Sequence, residues 1–78
     1  EDRSRVFLGA TVTLADEHDL ERIITLVGDD EADAVAGRIG WNTPLARALR
    51  GAATGDLRTV HLPGGSKEWE IIGIEYPK

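Results

Sequence analysis

The chain has 78 residues, with 14 acidic against 9 basic side chains, a formal net charge of −5 and no cysteine. That length supports one modest hydrophobic core and argues against a long catalytic cleft. The acidic balance argues against a phosphate-tracking surface, because nucleic-acid binders carry a basic patch or stripe, and the lack of thiols excludes disulfides, thiol catalysis and thiolate metal ligands.

The opening Glu1-Asp2-Arg3-Ser4-Arg5 lacks the apolar core of a signal peptide, and no apolar run approaches the roughly 20 residues that span a bilayer. A cytoplasmic, non-membrane setting is expected. The start on Glu1 instead of Met reads as a fragment or a processed chain. From Val6 to Leu14 the even positions Val6, Leu8, Ala10, Val12 and Leu14 are apolar, which predicts a half-buried strand. Asp16-Glu17-His18-Asp19 is a polar break, and Glu21 to Val27, rich in β-branched residues, predicts a second strand pairing back as a hairpin. Ile23 and Ile24 are consecutive, so one of them faces a second layer or the edge of the core. Gly28 to Gly37, with the acidic run Asp29-Asp30-Glu31-Ala32-Asp33, reads as a loop. A short strand around Arg38 to Trp41 then leads into a helix.

That helix is the best-marked element. Thr43 is an N-cap, Pro44 fits the first helical position, and Gly51 suits the left-handed C′ position. Leu45, Ala48 and Leu49 fall on one face, and Arg47 and Arg50 complement the C-terminal end of the dipole. The helix has about two turns. Ala52 to Asp56 is a connection, Leu57 to Leu62 a strand, and Pro63-Gly64-Gly65-Ser66 a turn. The last strand, Lys67 to Tyr76, carries Trp69 and Ile71 on one face and Ile72, Ile74 and Tyr76 on the other, which predicts a strand inside the sheet. The whole, residues 1–78, reads as one α+β domain in which a twisted antiparallel sheet wraps over one short helix.

Chemistry-bearing patterns are sparse. The acidic run lacks the ligand spacing of an EF-hand loop and reads as a solvated segment. The letters of a helicase box at Asp30-Glu31-Ala32-Asp33 are an accident, because no Walker A loop accompanies them. His18 and His61 are not in a ligand-spaced pair, and neither Ser4 nor Ser66 sits in a nucleophile elbow. Pro63-Gly64-Gly65 precedes a strand, whereas a phosphate cradle needs a helix N-terminus. No metal, no cofactor and no catalytic residue is expected. Capping accounts for Thr43 and Pro44 but leaves Trp41 and Asn42 open, either as core or as an interface anchor, since Trp is a favoured hot-spot residue.

Taken together, Val6 to Val12, Gly28-Asp29-Asp30-Glu31-Ala32-Asp33, Ile39 to Gly51, Gly55-Asp56, Pro63-Gly64-Gly65 and Trp69 to Tyr76 resemble the C-terminal domain of the bacterial transcript-cleavage factors GreA and GreB. The resemblance spans nearly the whole chain, and several motifs in fixed order are more specific than any one alone. It implies a fold similar to the FKBP-type prolyl isomerases. It also implies docking on RNA polymerase, at a coiled coil of the β′ subunit on the rim of the secondary channel, through Trp41, Asn42, Thr43, Pro44 and Leu45. The family's tip is an Asn/Asp-Ser-Pro segment, so Thr43 stands for the usual serine and keeps the hydroxyl. Leu45 and Arg47 match the pattern. Gly40 for a common serine, Trp41 for a common aliphatic residue and Arg50 for a usual apolar residue depart from it.

In the family, cleavage is helped by an acidic pair on an N-terminal coiled coil that these 78 residues do not contain. The carboxylates Asp29, Asp30, Glu31 and Asp33 do not inherit that role. The resemblance therefore implies a polymerase-binding, non-enzymatic, monomeric piece with weak or no direct nucleic-acid binding. Two alternatives stay open here: a non-cleaving Gre-related polymerase regulator, and a prolyl isomerase suggested by the expected FKBP-like shape alone.

Overall fold

The computed structural model describes residues 4–76. Its strands are β1 (Thr11–Ala15), β2 (Glu21–Val27), β3 (Arg38–Gly40), β4 (Leu57–Leu62) and β5 (Gly65–Glu75), and one helix, α1 (Pro44–Leu49), lies between β3 and β4. They form one five-stranded sheet in the order β3-β2-β1-β5-β4. β5 is internal, antiparallel to both β1 and β4, as its apolar content predicts. β3 runs parallel to β2, with Thr25 opposite Arg38, so the sheet is mixed and not purely antiparallel. The acidic segment explains this: it winds into two short 3-10 turns, Asp29–Glu31 and Ala34–Ala36, that bring the chain back alongside Thr25 of β2 before β3 begins.

One face of the sheet supplies Val12, Leu14, Ile24, Leu26, Val60, Trp69 and Ile71 to the core, and it is closed by Val6 and Ala10 from the segment before β1 and by Ala46, Leu49 and Ala52 from α1 and the segment after it. Of the two adjacent isoleucines, Ile24 is buried and Ile23 is exposed. The alternation along β5 is broken by a bulge: Thr13 pairs with Gly73 but Leu14 pairs with Ile71, leaving Ile72 as the extra residue. A bulge shifts the side-chain phase by one. Ile74, opposite Val12, therefore returns to the core face with Tyr76, while Ile72 is exposed. The expected grouping of Ile72 with Ile74 and Tyr76 is corrected accordingly.

The first predicted strand is shorter than expected. Gly9 takes φ +93°, a conformation open to glycine at little cost, and the chain turns there, the Ala10 N–H donating to the Phe7 carbonyl at 3.0 Å. Leu8 is exposed in consequence, and Val6 pairs instead with the segment after α1, through Val6 N–H to Ala52 O at 2.9 Å and Gly51 N–H to Val6 O at 2.8 Å. The polar break between β1 and β2 is organised by buried Asp16, which accepts from the N–H groups of His18 at 2.8 Å and Leu20 at 3.0 Å and faces Lys67 Nζ at 3.6 Å. The Leu20 N–H is the main cause holding its carboxyl below the ordinary value.

Tyr76 ties the two ends of the described chain. Its hydroxyl donates to the Arg5 carbonyl at 2.6 Å and accepts from the Phe7 N–H at 3.0 Å. Tyr76→Phe removes both bonds without changing the ring, and is expected to lower unfolding stability by about 1–2 kcal/mol, measured by denaturant titration.

Candidate docking tip

Thr43 has the extended backbone of an N-cap, φ −74° and ψ 158°, with Pro44 following in the first turn. Its hydroxyl accepts from the Ala46 N–H at 3.3 Å and donates to the Gly40 carbonyl at 2.9 Å. The cap thus fastens α1 to β3 as well as starting the helix. Gly51 takes φ +76° beyond the helix, as its C′ position requires. The buried face is Ala46 and Leu49. Leu45 and Ala48 pack against the core in part, so the expected stripe of Leu45, Ala48 and Leu49 faces the core and is widened by Ala46, which it did not include.

Two residues absent from the sequence-based site complete the tip. Asp29, from the first 3-10 turn, accepts from the backbone N–H of Asn42 at 3.2 Å and from its side-chain Nδ2 at 2.7 Å. Arg50, just past α1, donates from Nη2 to the Trp41 carbonyl at 2.5 Å and to Asn42 Oδ1 at 3.1 Å, and its guanidinium carbon lies 4.1 Å from the Trp41 ring centroid. Asn42 therefore fills a structural position. Trp41 does not stand out as a free anchor: it is half-buried, packed against the core and covered by the guanidinium. Among the five expected docking residues Asn42 and Pro44 are exposed, and Trp41, Thr43 and Leu45 are half-buried. The Asn42 hydrogen bonds are the main cause holding the Asp29 carboxyl below its ordinary value, and the charges of Arg50 and Arg47 act in the same direction.

Gly40 belongs to the same arrangement. A Cβ built there would stand 2.8 Å from Asp29 Oδ1, so the absence of a side chain is what lets Asp29 reach Asn42. Of the rest of the acidic run, Asp33 is spent locally. Asp33 caps the second 3-10 turn through the Ala36 N–H at 3.4 Å and pairs with Arg38 at 3.9 Å.

The aromatic side chains do not build a proline pocket. Trp69 is in the core, the Tyr76 hydroxyl is spent on the N-terminal segment, Trp41 lies under Arg50, and Phe7 is exposed. A cavity of about 180 Å³ sits elsewhere, lined by Ala15, Asp16, Glu17, Asp19, Leu57, Glu68 and Glu70. Its carboxylate lining is unlike the apolar lining that holds a hydrophobic ligand.

Because the Asp29 carboxyl is depressed when folded, its stabilising contribution is fully present above the ordinary value of 3.8 and is lost as pH falls through the lower folded-state value. The stability difference between the wild-type chain and Asp29→Ala, measured by chemical unfolding, is expected to be constant from about pH 7 to about pH 5 and to shrink as the pH falls into the strongly acidic range. Gly40→Ala is expected to leave the core intact while displacing the Asp29 carboxylate, so that adding Asp29→Ala costs nothing more in the same measurement.

Comparison with known proteins agrees with this architecture. The family described as "Transcription elongation factor, GreA/GreB, C-term" matches residues 1–76. Transcription elongation factor GreA of Brucella anthropi is 48% identical over 73 residues, covering 92% of this chain and 46% of that protein. GreA of Vibrio vulnificus is 47% identical over 77 residues, covering 97% and 49%. Among solved structures, GreA factor homolog 1 (Gfh1) of Thermus thermophilus superimposes with a TM-score of 0.79 at 26% identity, covering 91% of this chain and 48% of that one. The elongation factor GreA/GreB from Nitrosomonas europaea gives a TM-score of 0.79 at 28% identity, covering 97% and 64%. The chain spans about half the length of the curated relatives it matches. It belongs to the GreA/GreB family of transcription elongation factors and corresponds to the family's C-terminal domain.

Proposed function

We propose that this chain is the RNA polymerase-docking domain of a Gre-type elongation factor, and that the Trp41–Leu45 segment meets the coiled coil of the β′ subunit at the rim of the secondary channel. The observation that carries the reading is the tip itself. Pro44 is exposed at the head of a capped helix, on a segment held from one side by Asp29 and from the other by Arg50. A surface fixed before binding loses little conformational entropy on association. Docking of this kind positions a separate coiled-coil segment to stimulate cleavage of backtracked transcripts, and the 78 residues themselves supply binding and not catalysis. The negative charge agrees with a protein partner in preference to a nucleic acid.

Pro44 is the clean probe, because its ring is exposed and its role at the helix start does not involve the Asp29 and Arg50 contacts. Pro44→Ala is expected to weaken binding to a purified β′ rim fragment by about 1 kcal/mol or more if the tip is a hot spot. Titration calorimetry checks this, and unchanged affinity in a folded variant would remove the tip from the interface.

A further inference from the structure

Asn42 is a symmetric-looking amide held between two unlike partners. Asp29 can only accept, and it takes the Nδ2 proton at 2.7 Å; Arg50 can only donate, and it reaches Oδ1 at 3.1 Å. The amide has one orientation that satisfies both, so a flip is excluded by chemistry and not by packing. Arg50 holds its own place through the Trp41 carbonyl and the ring beneath it. Its Nε is buried without a hydrogen-bond partner, so the guanidinium lies there at the expense of one donor. Both bonds come from one nitrogen, Nη2, whose place is set by the guanidinium lying over the Trp41 ring; a lysine keeps the charge but has no planar group to lie there. Within this arrangement Trp41 and Arg50 touch each other directly.

We infer that Arg50 is the positioning residue of the docking tip: with Nη2 donating to both the Trp41 carbonyl and the Asn42 amide oxygen, it fixes the Asn42–Pro44 segment against Asp29 and sets the geometry presented to polymerase. The part of this inference that concerns polymerase rests on the docking reading above. Arg50 acts through Asn42, so removing either residue removes the same thing.

The test uses the 78-residue chain with Arg50→Leu, Arg50→Lys, Asn42→Ala and the Arg50→Leu/Asn42→Ala double variant. Two signals are read. One is hydrogen exchange of the Asn42 side-chain amide protons by NMR, and the other is affinity for the β′ rim fragment. Arg50→Leu is expected to accelerate the amide exchange and to weaken binding about 10-fold, with the cooperative unfolding of the core retained. Arg50→Lys is expected to recover little of either signal. On the Asn42→Ala background, Arg50→Leu is expected to add no further loss of affinity, the non-additivity of residues acting as a unit. Unchanged Asn42 exchange in Arg50→Leu, full recovery by Arg50→Lys, or additive losses in the double variant would each overturn the inference. If Arg50→Leu does not fold, Arg50→Lys decides by the same two signals. If the wild-type chain does not bind the rim fragment, the docking reading fails, and the exchange measurement still decides whether Arg50 positions Asn42.

Discussion

The double pairing of β5 is the constraint on which the rest of the molecule depends. It is bonded to β1 on one side and β4 on the other, and it carries Trp69 and Ile71 into the core and, past the bulge, Ile74 and Tyr76 against it. Each such large side chain contributes about 1.5–3 kcal/mol when fully buried. The bulge at Ile72 decides how many of them β5 can deliver. A regular strand with this sequence would turn Ile74 and Tyr76 away from Trp69 and Ile71, and the sheet would have an apolar face with nothing to cover it. One unpaired residue puts these side chains on one side and brings the Tyr76 hydroxyl within reach of the N-terminal segment.

Much of the architecture was legible because local signals agreed with the final packing. The Thr43-Pro44 start and Gly51 stop framed α1 correctly, and the apolar runs at Glu21–Val27 and Leu57–Leu62 coincide with β2 and β4. The errors share one cause. Alternation in a sequence presumes an unbroken pleat, and it cannot register a residue that the pleat skips: Gly9 interrupted the run from Val6, and Ile72 shifted the phase of β5. The parallel setting of β3 was equally hidden, since strand direction is set by the path of the intervening chain and not by the composition of the strand. At the tip, the capping residues were visible because a cap is a contact between near neighbours. The Asp29 and Arg50 contacts with Asn42 span 13 and 8 positions, and no spacing rule connects a loop carboxylate, an asparagine and an arginine past a helix end.

The tip therefore serves two ends with one set of bonds. Thr43 starts a helix and also anchors it to β3, and Asn42 is exposed yet bonded on both sides. Its bonds to Asp29 and Arg50 join the loop before β3 to the end of α1. Gly40 makes the closeness possible by leaving room for the Asp29 carboxylate. In this chain the meaning of asparagine at position 42 comes from its neighbours: a carboxylate there would face Asp29 across a hydrogen-bond distance, and the like charges would repel.

The short strand β3 closes one side of the sheet. An open edge offers unpaired N–H and C=O groups to any passing strand. Here the outward groups of Arg38 are taken by Asp33, whose N–H donates to the Arg38 carbonyl and whose carbonyl accepts from the Arg38 N–H, both at 2.9 Å, and the Gly40 carbonyl is taken by Thr43. The loop that supplies Asp29 to the tip thereby also occupies backbone groups at the β3 edge of the sheet. A chain with a net negative charge and a partly blunted margin beside the Trp41–Leu45 tip offers mainly side chains at that margin, so the docking proposed for the tip rests on shape and charge and not on strand addition.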